Sequence, residues 1–404
     1  MKKKTVLYIT RNGMLEPLGQ SQVLSYLKGL SKNHQVSLIS FEKPEDRTNQ
    51  QALESVQNEC VRHGIRWLPQ RFHHRPKVIA PAWSMIVFLF LCLREVRRGN
   101  AELIHARSYI PASVALLVHK LTGTPFIFDM RALWPEELIT ASRLKRGSIM
   151  HKAITWVERS CLKNAAVVVS LTNSAASYLR KIYPDELQDQ KLVVIPTCAD
   201  LNRFVPLDAE DRNSAEENGA VFSCLGTVLS GWFRLDWLRL FFQEIGSHEP
   251  TASFEIVTRD DPGEVRKHLS LADDLNERLK IYSMPSHDVH EAVQRHAASV
   301  MFYAGGEVSE LGRSPTRMAE ILGCGLPVVA NPGVGDVAEI IQKYRVGVLV
   351  TEGTSEAMKS ASRELEELMK DPELPGRCRC AAEEVFSLQA GTQAYRELYR
   401  DILK

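Results

Sequence analysis

Short apolar runs separated by turns and amphipathic stretches recur along the whole chain. Residues 6–10 read as a first buried strand, a helix is predicted around 20–32, and 36–41 form the next strand. A strand at 103–106 leads into a helix at 112–121 and a strand at 126–129. A long helix at 148–163 feeds a strand at 167–171, and 192–196 follow another helix. Strands alternating with helices imply parallel pairing, with helices on both faces of the sheet. Around 208–219 the chain turns polar (DAEDRNSAEENG) without apolar periodicity, which predicts a linker. The rhythm restarts with strands at 220–225, 253–258, 279–282, 299–303, 327–330 and 347–350, and a helix at 235–245. The last segment, 387–404, is a helix with Tyr395, Leu398 and Leu403 on one apolar stripe. The pattern predicts an α/β protein of two Rossmann-like domains, 1–207 and 220–386, joined by the polar linker.

The length of 404 residues suits two domains of ordinary size. A formal net charge of +1 gives no reason to expect nucleic acid as a partner. No apolar run is long enough to span a bilayer, and the start of the chain does not read as a signal peptide. The eight cysteines are scattered through mostly apolar segments, the pattern of packed thiols in a reducing compartment, so a cytoplasmic location is expected. Cys378 and Cys380 form a lone C-x-C without a second pair at zinc-site spacing, and no metal is expected there. Residues 78–93 are strongly apolar. Arg71, Arg75 and Lys77 precede them, and Arg94, Arg97 and Arg98 follow. This stretch is either a core helix packed on two sides or a helix resting in an anionic membrane surface.

The most informative segment is Ser314-Pro-Thr-Arg-Met-Ala-Glu-Ile-Leu-Gly-Cys-Gly325, followed by Leu-Pro-Val-Val-Ala330. Ser314 suits an N-cap, Pro315 the first helical position, and Gly323 or Gly325 the end. Arg317 in the first turn opposes the helix macrodipole, and a cation beside free N–H groups makes an anion site fit for a diphosphate. Glu320 lies on the same face as Thr316 and Arg317, where it can accept bonds from both ribose hydroxyls. The alternative is an ordinary helix with an Arg317–Glu320 surface pair. Gly333-Val-Gly-Asp-Val-Ala338 spells a dinucleotide fingerprint, with Glu352 at roughly the ribose-carboxylate distance. It sits at the end of its domain, whereas such a motif belongs to a first βα unit.

The 314–325 segment resembles the donor-binding helix of family 4 of the retaining GT-B glycosyltransferases. In that family a first glutamate, seven residues and a second glutamate precede a small-residue turn and Pro-Val-Val. Glu320 matches the second glutamate, which binds the nucleotide ribose. Gly312 stands at the position of the first, and Glu307 and Glu310 lie out of register. The Ser-Pro-Thr-Arg form is similar to a subgroup with Ser-Pro-Thr-Lys. Pro17-Leu-Gly-Gln-Ser21 resembles the family's glycine-rich loop, where Gly19 would let backbone approach the donor phosphates and Gln20 would face the acceptor. Residues 195–204 resemble the junction between domains, 336–341 match the helix after the Pro-Val-Val strand, and the 387–404 helix resembles the one that returns to brace the first domain. The resemblance thus implies two parallel-sheet domains facing a central cleft.

Two family positions are altered. The Gly-Arg and Lys phosphate clamp is replaced by Leu225-Gly-Thr-Val-Leu-Ser-Gly-Trp-Phe-Arg234. Gly226 and Thr227 can still reach a phosphate, and the positive charge falls to Arg317, with Arg234 or Arg259 as further candidates. Where the family often has a histidine near the reacting carbon, this chain has Arg131. Asp129 and Arg131 either orient the acceptor hydroxyl or donor phosphate, or form a structural ion pair. His105, ending the preceding strand, is either an acid or base or a hydrogen-bonded wall residue. Arg107, Tyr109 and Trp134 are acceptor-side candidates. The donor-binding set is then Gly19, Gly226, Thr227, Arg234, Arg259, Ser314, Pro315, Thr316, Arg317 and Glu320. The resemblance implies a retaining transferase that takes a nucleotide-sugar as substrate and uses no cofactor. No Asp-x-Asp motif ends a strand, so no metal is expected. A carbohydrate or lipid-linked acceptor, surface-polysaccharide or glycolipid synthesis, and peripheral contact of 71–98 with the inner face of the plasma membrane complete the expectation. A non-catalytic scaffold or partner subunit of the same fold, or a nucleotide-sugar epimerase, is the alternative.

Overall fold

The structure, a computed structural model, describes residues 3–72, 79–98, 101–208, 219–285 and 287–404. The chain divides into two compact units, Met1–Pro196 with Leu388–Lys404, and Thr197–Ser387.

The first unit is built on seven parallel strands: β1 (Thr5–Ile9), β2 (Gln35–Glu42), β3 (Ile65–Arg71), β4 (Leu103–Arg107), β5 (Phe126–Asp129), β6 (Val167–Ser170) and β7 (Leu192–Val194). Their order is β3-β2-β1-β4-β5-β6-β7. The winding direction reverses between β1 and β4, so a crevice opens past the carboxyl ends of these two strands. β4, β5 and β6 are buried at every position, which is why each begins as a short apolar run, with polar residues only toward its carboxyl end. β3 (IRWLPQR) carries charges and Pro69, which an edge strand tolerates because its outer N–H groups pair with nothing.

The first helical segment, 17–30, includes a π-helical turn at Gln20–Leu24. The C-terminal helix Leu388–Ile402 lies against it: a Cβ on Gly29 would fall 2.4 Å from Thr392, and one on Gly391 would fall 2.7 Å from the Tyr26 hydroxyl. Tyr395, Leu398 and Tyr399 form the buried face of the C-terminal helix. Two small residues therefore set how closely these helices approach.

The second unit holds β8 (Val221–Leu225), β9 (Ser253–Val257), β10 (Leu279–Tyr282), β11 (Ala298–Met301), β12 (Val328–Ala330) and β13 (Gly347–Leu349), ordered β10-β9-β8-β11-β12-β13. Here the reversal falls between β8 and β11. One core, centred on Phe222, Phe241, Phe242, Phe254 and Phe302, contains the Leu235–His248 and Ser355–Met369 helices. The other packs the Thr316–Gly323 and Leu374–Phe386 helices. Each fully buried phenylalanine contributes about 1.5–3 kcal/mol relative to exposure.

The boundary falls at Pro196 rather than at residue 207. Thr197 bonds Ser314, the Ala199 N–H donates to the Phe386 carbonyl, and Leu201 and Phe204 enter the second core. Arg379 then caps the carbonyls of Leu201, Phe204 and Gly323. Of the 208–219 linker, residues 209–218 lie outside the described residues, as do Arg75 and Lys77 of the basic apolar stretch.

Candidate active site

The reversal point of the second sheet gathers the donor candidates. The helix Thr316–Gly323 begins with Pro315 as its N-cap, which has no side chain able to cap. This corrects the expected cap. Ser314 instead turns to Thr197, its Oγ lying 3.3 Å from the Thr197 N–H and 3.0 Å from Oγ1. The first-turn N–H groups therefore receive no side-chain cap, and a helix start without one is open to an anion.

Gly226 follows β8 with φ 101°, a conformation that disfavours any other residue, and a Cβ there would meet Arg317 Nε at 3.8 Å. The strand-end loop and the helix start are therefore neighbours. Asp260, past the end of β9, holds the loop by accepting from the Val228 and Leu229 N–H groups at 2.7 and 3.0 Å. The Arg317 guanidinium pairs with Glu320, whose carboxylate raises the arginine pKa. The surface-pair alternative is thus present in the structure. The pair also keeps a cation and a carboxylate together on one helix face, with Arg317 one-third exposed and Glu320 largely buried.

The other cations are differently placed. Arg234 grips Asp236 through two bonds at 3.2 and 3.0 Å and stacks on Trp237. Arg259 and Thr227 are exposed. Glu310 is fully buried and bound twice by Arg313, which stacks on Trp232 and Tyr303, so Glu310 is occupied. Gly333 follows β12, two strands beyond β8, and packs on Gly306, where a Cβ would come within 2.9 Å of backbone. Close loop packing accounts for the fingerprint glycine.

In the first unit, His105, Arg107, Asp129 and Arg131 form one buried network. Asp129 Oδ2 is 3.3 Å from His105 Nε2, 3.2 Å from the Tyr395 hydroxyl and 3.7 Å from Arg107, while Oδ1 is 3.6 Å from Arg131. Burial works to raise the Asp129 pKa, but Arg131, the His105 bond and Arg107 outweigh it and hold the carboxyl at about 2. An ionised carboxylate only accepts, so His105 Nε2 carries the proton and Nδ1 accepts from the Tyr399 hydroxyl at 2.7 Å. Burial lowers the His105 pKa and keeps the ring neutral. Both ring nitrogens are engaged, and His105 and Asp129 are each 1% exposed. The contacts present are those of the ion-pair and wall-residue alternatives. Sequence patterns did not single out Tyr8, Tyr26 and Tyr399, which line the network.

The network lies under two strained loops. Ser108, just past β4, has φ 76° and ψ 174°, and Arg131, just past β5, has φ 60°. Non-glycine residues in such conformations cost about 1–3 kcal/mol each and persist where surrounding structure holds them. The Ser108 N–H donates to the Asp129 carbonyl at 2.7 Å, joining the two loops. Beside them a cavity of about 350 Å³ is lined by Arg11, Asn12, Glu16, Phe41, Lys43, Phe72, Ser108–Ile110 and Trp134. Its walls follow β1, β2, β3, β4 and β5, the crevice expected at the reversal point. Tyr109 and Trp134 are therefore wall residues. The Tyr109 hydroxyl is anchored on buried Glu158 at 2.7 Å, and its ring packs on Trp134 at 5.6 Å.

Comparison with known proteins bears on both units. Residues 19–203 match the model for Glycosyltransferase Family 4, and residues 260–385 match that for Glycosyl transferases group 1. These matches indicate a glycosyltransferase of the GT-B type. No curated protein sequence matches the chain. Among solved structures, a glycosyltransferase from Rickettsia africae is 17% identical with a TM-score of 0.70, each chain covered in full. Sucrose-phosphate synthase from Thermosynechococcus elongatus is 15% identical, with a TM-score of 0.74 and 99% of both chains covered. HepE from Anabaena in complex with UDP is 14% identical, with a TM-score of 0.69 over 98% of this chain and 100% of that one.

In this glycosyltransferase Gly19 is buried in the first helical segment, and its missing side chain has a local reason. A Cβ there would fall 1.9 Å from the Gly13 carbonyl oxygen. The glycine thus serves packing of the 10–16 loop. Glu42, fully buried, accepts from the Met14 and Leu15 N–H groups and fixes the same loop. Gln20 is exposed on the π-helical turn, and Arg107 is buried in the Asp129 network.

Proposed function

We propose that this glycosyltransferase moves a sugar from a nucleoside diphosphate to an acceptor hydroxyl with retention at the anomeric carbon and without a metal. One observation carries the reading: the uncapped start of the Thr316–Gly323 helix, with Arg317, lies beside the positive-φ Gly226 loop at the reversal point of the second sheet. The diphosphate takes the helix N–H groups, Gly226 and the Arg317 guanidinium. Glu320, released from Arg317, then accepts from the ribose hydroxyls. Charge growing on the leaving diphosphate is thereby stabilised by groups already in place, a term of about 3–4 kcal/mol for one lost donor. HepE binds UDP on the same fold, which favours UDP as the leaving group. Retention rests on the Ser-Pro-Thr-Arg resemblance. The first-unit cavity takes the acceptor, and the Asp129 network positions its strained rim.

Release of UDP from UDP-sugars tests the assignment. Arg317→Ala is expected to lower turnover by about 100-fold or more, with melting curves checking that the variant folds. Donor binding without turnover of any nucleotide-sugar would favour the scaffold alternative.

A lipid-linked acceptor and membrane contact form the second part of the proposal. The Ile79–Arg98 helix buries Phe88, Leu91 and Cys92 and exposes Ile86 and Phe90, so it is packed on one side only among the described residues. It packs on Tyr109–Thr122, which exposes Leu117 and Leu121 and packs in turn on Ile149–Asn164, which exposes Ile149, Met150 and Trp156. Arg97, Arg98, Lys120 and Lys152, all exposed, add positive charge to the same helices. Apolar and aromatic side chains with basic neighbours suit an anionic bilayer surface. No helix among the described residues is long and apolar enough to cross a membrane. Sedimentation with anionic vesicles at low salt should be reduced by Phe90→Asp with Trp156→Asp, and wild-type protein left in the supernatant would contradict this part.

A further inference from the structure

The cavity of the first unit contains a cation that no described residue neutralises. Arg11, just past β1, places its guanidinium 5.1 Å from the centre of the Phe72 ring. Stacking fixes the group without cancelling its charge. Among the described residues no carboxylate pairs with Arg11, and burial alone, with no opposing charge, lowers its pKa. The second cation, Lys43, is different: it reaches Glu16 at 3.1 Å and lies nearly half exposed, toward solvent. The cavity thus carries two cations and one carboxylate, with the surplus charge on Arg11.

Other features point the same way. The Tyr109–Thr122 helix, fourteen residues long, begins at this wall, and its N-cap Ser108 makes no side-chain cap bond. Its positive dipole end adds to the field of Arg11. Phe72 and Trp134, both partly exposed, offer apolar ring surface of the kind that stacks on the C–H face of a sugar, with Phe41 and Tyr109 buried behind them. A half-buried arginine without a partner is costly unless a ligand anion replaces the water it has lost.

We infer that the acceptor bound in this cavity is an anionic sugar or sugar derivative, carrying a phosphate or carboxylate that Arg11 holds while the aromatic walls stack on the ring. The inference rests on the reading of the first-unit cavity as the acceptor site. Phosphate and carboxylate share the chemistry Arg11 recognises: both accept two parallel N–H bonds from a guanidinium.

The test is a ligand-observed NMR titration of the full chain with glucose, glucose 6-phosphate and glucuronate. Saturating UDP is present, so that the donor-phosphate site is occupied. A charge-assisted bond of about 1.5–3 kcal/mol predicts that at least one anionic sugar binds about tenfold or more tightly than glucose. Whichever anion is preferred names the group. Arg11→Gln should bring this preference below about twofold, and Arg11→Lys should restore part of it, because the point charge remains without the fork. Melting curves check that the variants fold. Equal affinity for glucose and both anions in the wild type, no binding of the anions up to millimolar concentrations, or a preference that survives Arg11→Gln would overturn the inference. UDP binding is recorded on the same samples. If UDP binds and charge discrimination is absent, this inference alone falls. If UDP fails to bind and the Arg11-dependent preference holds, the transferase reading falls and the anion site stands.

Discussion

Asp129 offers the sharpest test of how the first unit is held together. Its carboxylate is 1% exposed and accepts from His105 and Tyr395 while facing Arg107 and Arg131. The folded pKa of about 2 lies below the ordinary value of 3.8, a depression that amounts to about 2–3 kcal/mol of stability at neutral pH. Because the folded pKa is depressed, this contribution is complete above the unfolded value. It fades as pH falls from about 4 toward 2. Asp129→Asn removes the charge and leaves two buried arginines without it, a change that costs about 3–5 kcal/mol. For a unit of this size each kcal/mol shifts the midpoint by about 2–4 °C, so the variant should melt about 6–20 °C lower at pH 7. Scanning calorimetry from pH 7 to pH 2 reads both effects. The gap between wild type and variant should narrow below pH 4. A variant melting within about 2 °C of wild type at pH 7, or a gap that ignores pH, would refute the assigned role of this network.

Further outcomes follow from individual sites. Gly19→Ala drives a Cβ into the Gly13 carbonyl and should cost about 1–3 kcal/mol or more, seen as a lower denaturation midpoint, with UDP affinity unchanged once the protein is folded. Gly226→Ala should do the reverse, lowering UDP affinity in calorimetric titration more than it lowers stability, because φ 101° is lost at the proposed diphosphate site. Turnover of the nucleotide-sugar should persist after exhaustive EDTA treatment. Activity abolished by EDTA and restored by Mg²⁺ or Mn²⁺ would remove the metal-independent part of the proposal.

The central strands were legible in the sequence because both of their faces are buried, so β1, β2, β4, β5 and β6 are rich in apolar residues, with the buried polar groups of β4 and β5 (His105, Arg107, Asp129) gathered toward their carboxyl ends. Edge strand β3 escaped notice, since charges and Pro69 break its pattern. The helix Thr316–Gly323 was visible, but its cap was not. Ser314 has the chemistry of an N-cap, and only the tertiary fold shows that Thr197 takes its hydroxyl. Asp129 and Arg131 stand out in the sequence as candidates for either substrate contact or an ion pair, whereas the burial of Asp129 and His105 beneath Tyr395 and Tyr399 depends on a helix more than 250 residues away in sequence. Arg11 carried no signal at all. Its significance comes from a missing partner, and sequence spacing cannot reveal a missing partner.

The most direct test of the donor site is isothermal titration of UDP into the wild type and into Glu320→Ala. UDP should bind the wild type, and loss of the carboxylate assigned to the ribose should weaken binding by about tenfold or more, measured at a temperature where melting curves show both proteins folded. Equal affinity in the two proteins would contradict the placement of the ribose at Glu320. Failure of UDP and every other nucleoside diphosphate to bind the wild type would contradict the donor site itself.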